Sequence, residues 1–293
     1  MTDTRPGIRR AAARANAPGA APVDDARRAS TADPAAYRRR VHDAIVGALT
    51  PFTADPRFIA AFEGGSAATG RADAFSDIDL CVVADAATDP ALNDALFAAI
   101  EGALQAIAPL SHVWPVADPP WPGFAQRFYF LQDSPRFFAV DCSLMLPATG
   151  ENFLAPERHG HAQPLIDPHG WVRPRPMDRA AHDARRYKRV AQNRAAWPVY
   201  RMLIDKELAR GRALDALGFY QAVLRLLVEL AGLVHRPDRF DYGWRYLHHD
   251  LPPALQDALM QLAYVAGPQA IAARLPQADA LHASLSRLLP DAT

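Results

Sequence analysis

Residues 58–84 read FIAAFEGGSAATGRADAFSDIDLCVVA. Phe58–Phe62 is an apolar run of strand length, and Ser76–Val83 is a second one. Between them, Gly64-Gly65-Ser66 supplies two flexible residues and a hydroxyl suited to the start of a short helix. The expected order is strand, turn, short helix, loop, strand. Strand side chains alternate faces, so Asp77 and Asp79 should share one face while Ile78, Leu80 and Val82 enter a core.

Two ionised carboxylates side by side repel, and one pKa should rise unless a cation sits between them. Mg²⁺ takes oxygen ligands and commonly pairs one or two carboxylates with substrate phosphates. Upstream, Gly65-Ser66 opens a helix, where free N–H groups bind phosphate and glycine allows close approach. A phosphate cradle and a metal-binding pair would therefore lie on adjacent elements.

Gly65-Ser66, ten residues, then Asp77-Ile78-Asp79-Leu80 resembles the signature of the DNA polymerase β-like nucleotidyltransferases. Gly70 and Ser76 also fit the small-molecule, antibiotic-type branch of that superfamily. Many of its members carry arginine just before the glycine at position 70; here that residue is Thr69, and Arg71 follows. The resemblance implies divalent-metal transfer of a nucleotidyl group from a nucleoside triphosphate. It also implies a third carboxylate from a strand beside the D-x-D strand. Asp141, inside FFAVDCSLML, meets that role: an acid in so apolar a strand is costly unless paired or metal-bound.

Around this stretch the chain reads as α+β. A short mixed sheet with helices on one face is expected over 34–150, then a Pro-rich crossover over 151–177 and an all-α bundle over 178–293. Residues 1–33 read as a disordered Arg- and Ala-rich tail. Residues 35–50 and 90–107 carry helical apolar stripes, and Ser111–Val116, Ala125–Leu131 and Arg136–Met145 are strand-like. Residues 213–234 are apolar almost all round, as in the central helix of a bundle.

Lys+Arg and Asp+Glu balance at 32 each, so no global positive field argues for nucleic acid. Only two cysteines occur. They make no disulfide framework, and this points to a reducing, cytoplasmic setting. With no run of 18 or more apolar residues, no membrane span is expected.

The expected activity is a Mg²⁺-dependent nucleotidyltransferase, with two ions and ATP as the expected donor, acting on a hydroxyl of a small acceptor. Asp77, Asp79 and Asp141 are the expected metal and catalytic residues. Gly65, Ser66 and Ser76 are the expected nucleotide contacts, and Lys188, or Arg185, on the basic stretch 178–210 would reach the triphosphate. Tyr242, Trp244 and Tyr246 would stack a base or substrate. His159, His161 and His169 form a weaker, zinc-like pattern without cysteine partners. Two other readings stay open: a protein-AMPylating, antitoxin-like enzyme, and a nucleotide-binding protein without catalysis.

Overall fold

A computed structural model describes residues 33–85, 90–119, 121 and 123–290. Of the expected tail, only Asp33 falls among these. It belongs to the fold, because its carboxylate caps the first helix by accepting from the Ala35 N–H at 3.0 Å. The chain then runs through α1 (Pro34–Leu49), β1 (Phe58–Glu63), the single turn α2 (Gly65–Ala68), β2 (Ile78–Ala84) and α3 (Pro90–Ile107). Next come β3 (Leu110–Pro115), β4 (Phe124–Leu131), β5 (Val140–Met145), the short helices α4 (Pro147–Glu151) and α5 (Pro156–His159), and β6 (Gln163–Ile166). The rest is helical among the described residues: α6 (Arg179–Ala209), α7 (Ala213–His235), α8 (Leu247–Asp250), α9 (Pro253–Ala263) and α10 (Pro268–Ser286).

The six strands form one mixed sheet in the order β3-β4-β5-β2-β1-β6. Only β2 and β5 run parallel; the other neighbours are antiparallel. Ile78, Leu80 and Val82 on β2 and Val140, Cys142 and Leu144 on β5 face a core closed by the apolar stripes of α1 and α3. The opposite face is not bare. Cys81, Val83 and Met145 pack there with Phe124, Leu154 and Trp171. Both long helices thus lie on one face, as expected, but the segment after β5 covers part of the other.

That segment corrects the crossover expected over 151–177. Residues 163–166 form β6, which pairs antiparallel with β1 and completes the sheet edge. Sequence patterning does not reveal it, because four residues, two of them Gln163 and Pro164, show no apolar alternation. The strand expected over Arg136–Met145 starts only at Val140. Phe137 adopts a left-handed φ of 68°, which breaks strand geometry just upstream.

The second core is built wholly from helices, with α7 at its centre. Val223, Leu227 and Leu230 are fully buried against residues of α6, α9 and α10. Among the described residues, α7 alone is long and apolar enough to cross a membrane, and its apolar side chains are engaged in this core.

Candidate active site

The register of β2 and β5 sets Asp79 directly beside Asp141. Neighbouring strands lie about 4.7–4.9 Å apart, so the two carboxylates start from adjacent Cα positions. Both project from the sheet face opposite the α1/α3 core, because their neighbours Leu80 and Cys142 project into it. Burial, the Asp77 charge and their mutual repulsion act on them together. Asp141 is pushed up to about 6, chiefly by burial, although Gln126 donates to its Oδ1 at 2.7 Å. Asp79 is also raised, first by burial and then by Asp77.

Asp77 stands one residue before β2 rather than within it. Arg38 of α1 donates to the Asp77 and Ser76 carbonyls, and the Ile78 N–H donates to Ala139 at 3.0 Å, so pairing with β5 begins after Asp77. Asp77 therefore contributes field more than lining: its charge acts on both other acids, but it does not line the cleft that they share. Among the described residues, no three acidic, histidine or cysteine side chains are already gathered as ligands of one ion. Like charges resist convergence, and protonation, a donor such as Gln126 or a cation offsets that repulsion.

Gly65 sits on top of this pair. Its φ is 52°, and a Cβ there would fall 1.5 Å from Asp79 Oδ2. Glycine is therefore required twice over, by the left-handed backbone and by the carboxylate against it. The Ser66 backbone amide acts on the Asp79 carboxylate and lowers its pKa, against burial and the Asp77 charge. The Ser66 hydroxyl is buried without a hydrogen-bond partner. Ser66 does not line the cleft over Gly65, Asp79 and Asp141, so its hydroxyl is not an open phosphate contact; the two raised carboxylates are the oxygen donors that a hard cation takes.

A cleft of about 1000 Å³ opens over these groups, floored by Gly65, Asp79 and Asp141 and walled by Arg158, Tyr242 and Arg245 of the later chain. Lys188 is not brought there. It lines a separate cavity of about 490 Å³ beside Glu229 and Phe240, and Arg185 borders both spaces. The expected contact of Ser76 is also redirected. Its hydroxyl donates to Asp73 Oδ1 at 3.0 Å and accepts from the Asp73 N–H at 2.9 Å, which closes the loop ahead of β2.

The cation whose charge acts on both acids is Arg245, which no motif in the sequence singles out. Its charge lowers the pKa of both Asp79 and Asp141. Among the described residues its side chain donates to the Tyr246 hydroxyl, at 3.1 Å. The aromatic segment around it was a usable signal: Tyr242 and Tyr246 line the cleft, whereas Trp244 does not. Tyr246 adopts a left-handed φ of 60°, a strained state for a tyrosine. Arg236 over-determines that turn by donating to the Gly243 and Arg245 carbonyls.

His159 also lines the cleft, and its tautomer follows from its partners. The Tyr242 hydroxyl has one proton and donates it to the Arg158 carbonyl at 2.8 Å. At 3.1 Å from His159 Nδ1 the same oxygen must therefore accept, which makes Nδ1 the protonated nitrogen and leaves the Nε2 lone pair free. Burial, and then Arg158, lower this imidazole to about 4. His161 and His169 do not join it in any metal-ligating group among the described residues.

No protein-family model matches the chain, and no curated protein does.

Proposed function

We propose that the protein is a Mg²⁺-dependent nucleotidyltransferase of the DNA polymerase β-like kind, passing a nucleoside monophosphate from a triphosphate such as ATP to a hydroxyl of a small acceptor. The observation that carries this reading is the stacking of Gly65 on Asp79 beside Asp141. It joins a close-approach backbone to two acids whose pKa values are raised. Asp79 and Asp141 would hold the metal, with Asp77 adding negative field. When bound, the metal supplies Lewis-acid polarisation of the phosphate oxygens and charge neutralisation.

The chain's own groups account for the rest. Gly65, which lines the cleft, lets the phosphates approach the backbone. Arg245 faces the same point from the helical half and would hold the departing pyrophosphate. In the transfer, an acceptor oxygen–phosphorus bond forms at the α-phosphate and the phosphorus–oxygen bond to pyrophosphate breaks. The hydroxyl proton passes to a carboxylate oxygen of Asp141, which lines the cleft beside Asp79. The sheet half and the helical half are proposed as two domains with the cleft between them, a favoured place for such a pocket. The free, buried thiols of Cys81 and Cys142 fit a cytoplasmic setting.

Binding and turnover test this together. MgATP should bind the wild-type protein and fail to bind Gly65→Val. Asp79→Asn should lower pyrophosphate release by about 10³-fold or more while the fold persists, since metal catalysis supplies several kcal/mol. An Asp79→Asn protein that releases pyrophosphate at the wild-type rate would remove the metal site from this position.

A further inference from the structure

The cleft carries more aromatic surface than a nucleotide needs. Trp121 meets Phe153 at 5.6 Å, Phe153 meets His159 at 5.2 Å, His159 meets Tyr242 at 6.0 Å, and Tyr242 meets Tyr246 at 6.4 Å. All five rings line the cleft. They run from the loop before β4, through the segment after β5, to the turn that carries Arg245. Stacked or edge-on rings sit about 4.5–7 Å apart, so one nucleobase covers one or two of these positions. A base held near Tyr242 and Tyr246, on the Arg245 side, leaves the Trp121–Phe153 end for a second ligand.

The charges of the cleft restrict that ligand. Five acids line it: Asp79, Asp141, Glu151, Asp178 and Asp241. Glu151 is paired with Arg175, and both oxygens of Asp241 accept from Arg158. Asp178 caps α6 by accepting from the Ala181 N–H at 3.0 Å. Asp79 and Asp141 belong to the proposed metal site. Of the lining carboxylates outside the proposed metal site only Asp178 has no cationic partner, whereas Arg185 and Arg245 have no carboxylate partner among the described residues. A polycation entering here would meet two unpaired guanidinium groups and at most one open carboxylate, Asp178, so several ammonium groups would lose their hydration without compensation.

We propose that the Trp121–Phe153 end of this wall is the acceptor subsite, and that the acceptor is a hydroxylated aromatic molecule bearing no positive charge. This rests on the nucleotidyl-transfer reading and names its substrate class. Its ring would lie against Phe153 and Trp121 and direct its hydroxyl toward Asp141. His159 suits that surface, because the imidazole stays neutral and presents an aromatic face beside Phe153 at physiological pH.

The test is ligand-observed NMR on the full chain with Mg²⁺ and a non-hydrolysable ATP analogue. The two probes are 4-hydroxybenzyl alcohol and the polycationic sugar kanamycin. The aromatic probe should bind the wild type, and kanamycin should neither bind nor displace it. Phe153→Ala and Trp121→Ala should weaken the aromatic probe at least tenfold. Phe153→Leu keeps bulk without the ring and should weaken it comparably, with circular dichroism checking that each variant is folded. The proposal is overturned if kanamycin displaces the aromatic probe, if folded Phe153→Leu and Trp121→Ala bind it like the wild type, or if the nucleotide binds and the aromatic probe does not. Failure of MgATP to bind the wild type would overturn the nucleotidyl-transfer reading instead, and the acceptor role would fall with it.

Discussion

Two clusters of charge lie within one cleft-forming unit, and they are handled in opposite ways. In the helical half, Arg236 and Asp250 keep only 2% and 3% of their side-chain exposure and face each other at 3.3 Å. Arg239 adds a 2.7 Å bond to the same carboxylate, and Arg71 approaches it to 3.6 Å. Arg236 further donates to two backbone carbonyls. In the sheet half, Asp79 and Asp141 are half-buried, and their nearest charged neighbour on the sheet is each other. Compensated charge holds a turn in place. Uncompensated charge of one sign stores repulsion that a cation can release, and this marks a candidate site.

Removing one member from each cluster should therefore move stability in opposite directions. The largest effect is expected from Arg236→Ala, which leaves Asp250 buried with only its outer partners. A loss of about 3–5 kcal/mol is expected, read by urea unfolding of the helical half. A loss below about 1 kcal/mol would mean that Arg239 and Arg71 suffice, and that the compensation is spread out.

Asp141→Asn should do the reverse. The native pKa of about 6 lies above the unfolded value, so the folded state binds more protons between about pH 4 and 6. Stability contributed at this position is highest below that window and falls as pH rises through it. In metal-free protein, Asp141→Asn should gain about 2 kcal/mol at pH 7.5, allowing for residual solvent access, and the gain should vanish near pH 4. Thermal melts with chelator at the two pH values measure this. Added Mg²⁺ should narrow the gap, because it stabilises only the protein that keeps both acids.

A smaller effect tests the neutral edge of the cleft. Tyr242→Phe removes the hydroxyl bridge between the Arg158 carbonyl and His159, and should cost about 1 kcal/mol. In the wild type, ¹⁵N NMR should show His159 as the Nδ1–H tautomer, neutral down to about pH 4, in keeping with its burial. An Nε2–H signal would reverse the hydrogen-bond assignment. The smallest change is expected from Arg71→Ala. At 3.6 Å and with 30% of its side chain exposed, Arg71 should contribute at most about 1 kcal/mol to the tie between the halves.

Some of this is legible in the amino-acid sequence alone. The alternation Ile78-Asp79-Leu80 determines which face Asp79 takes, because a strand has only two faces and the apolar one is buried. The 3.6-residue stripes of α1 and α3, and the nearly all-round apolar character of α7, identify those helices from local sequence. Gly65 is legible as a point of close backbone approach, and Asp141 as an acid out of place in an apolar strand. Strand pairing is non-local, and only the tertiary structure decided it. It set β5 parallel to β2 with Asp141 opposite Asp79, added β6 from a segment with no alternation, and began β2 after Asp77. It also chose the cations. A basic helix shows in sequence, but which guanidinium is left without a carboxylate depends on every neighbour it meets after folding. Lys188 thus turned to a different cavity, and Arg245, on a turn held by a buried arginine, came to face the acids.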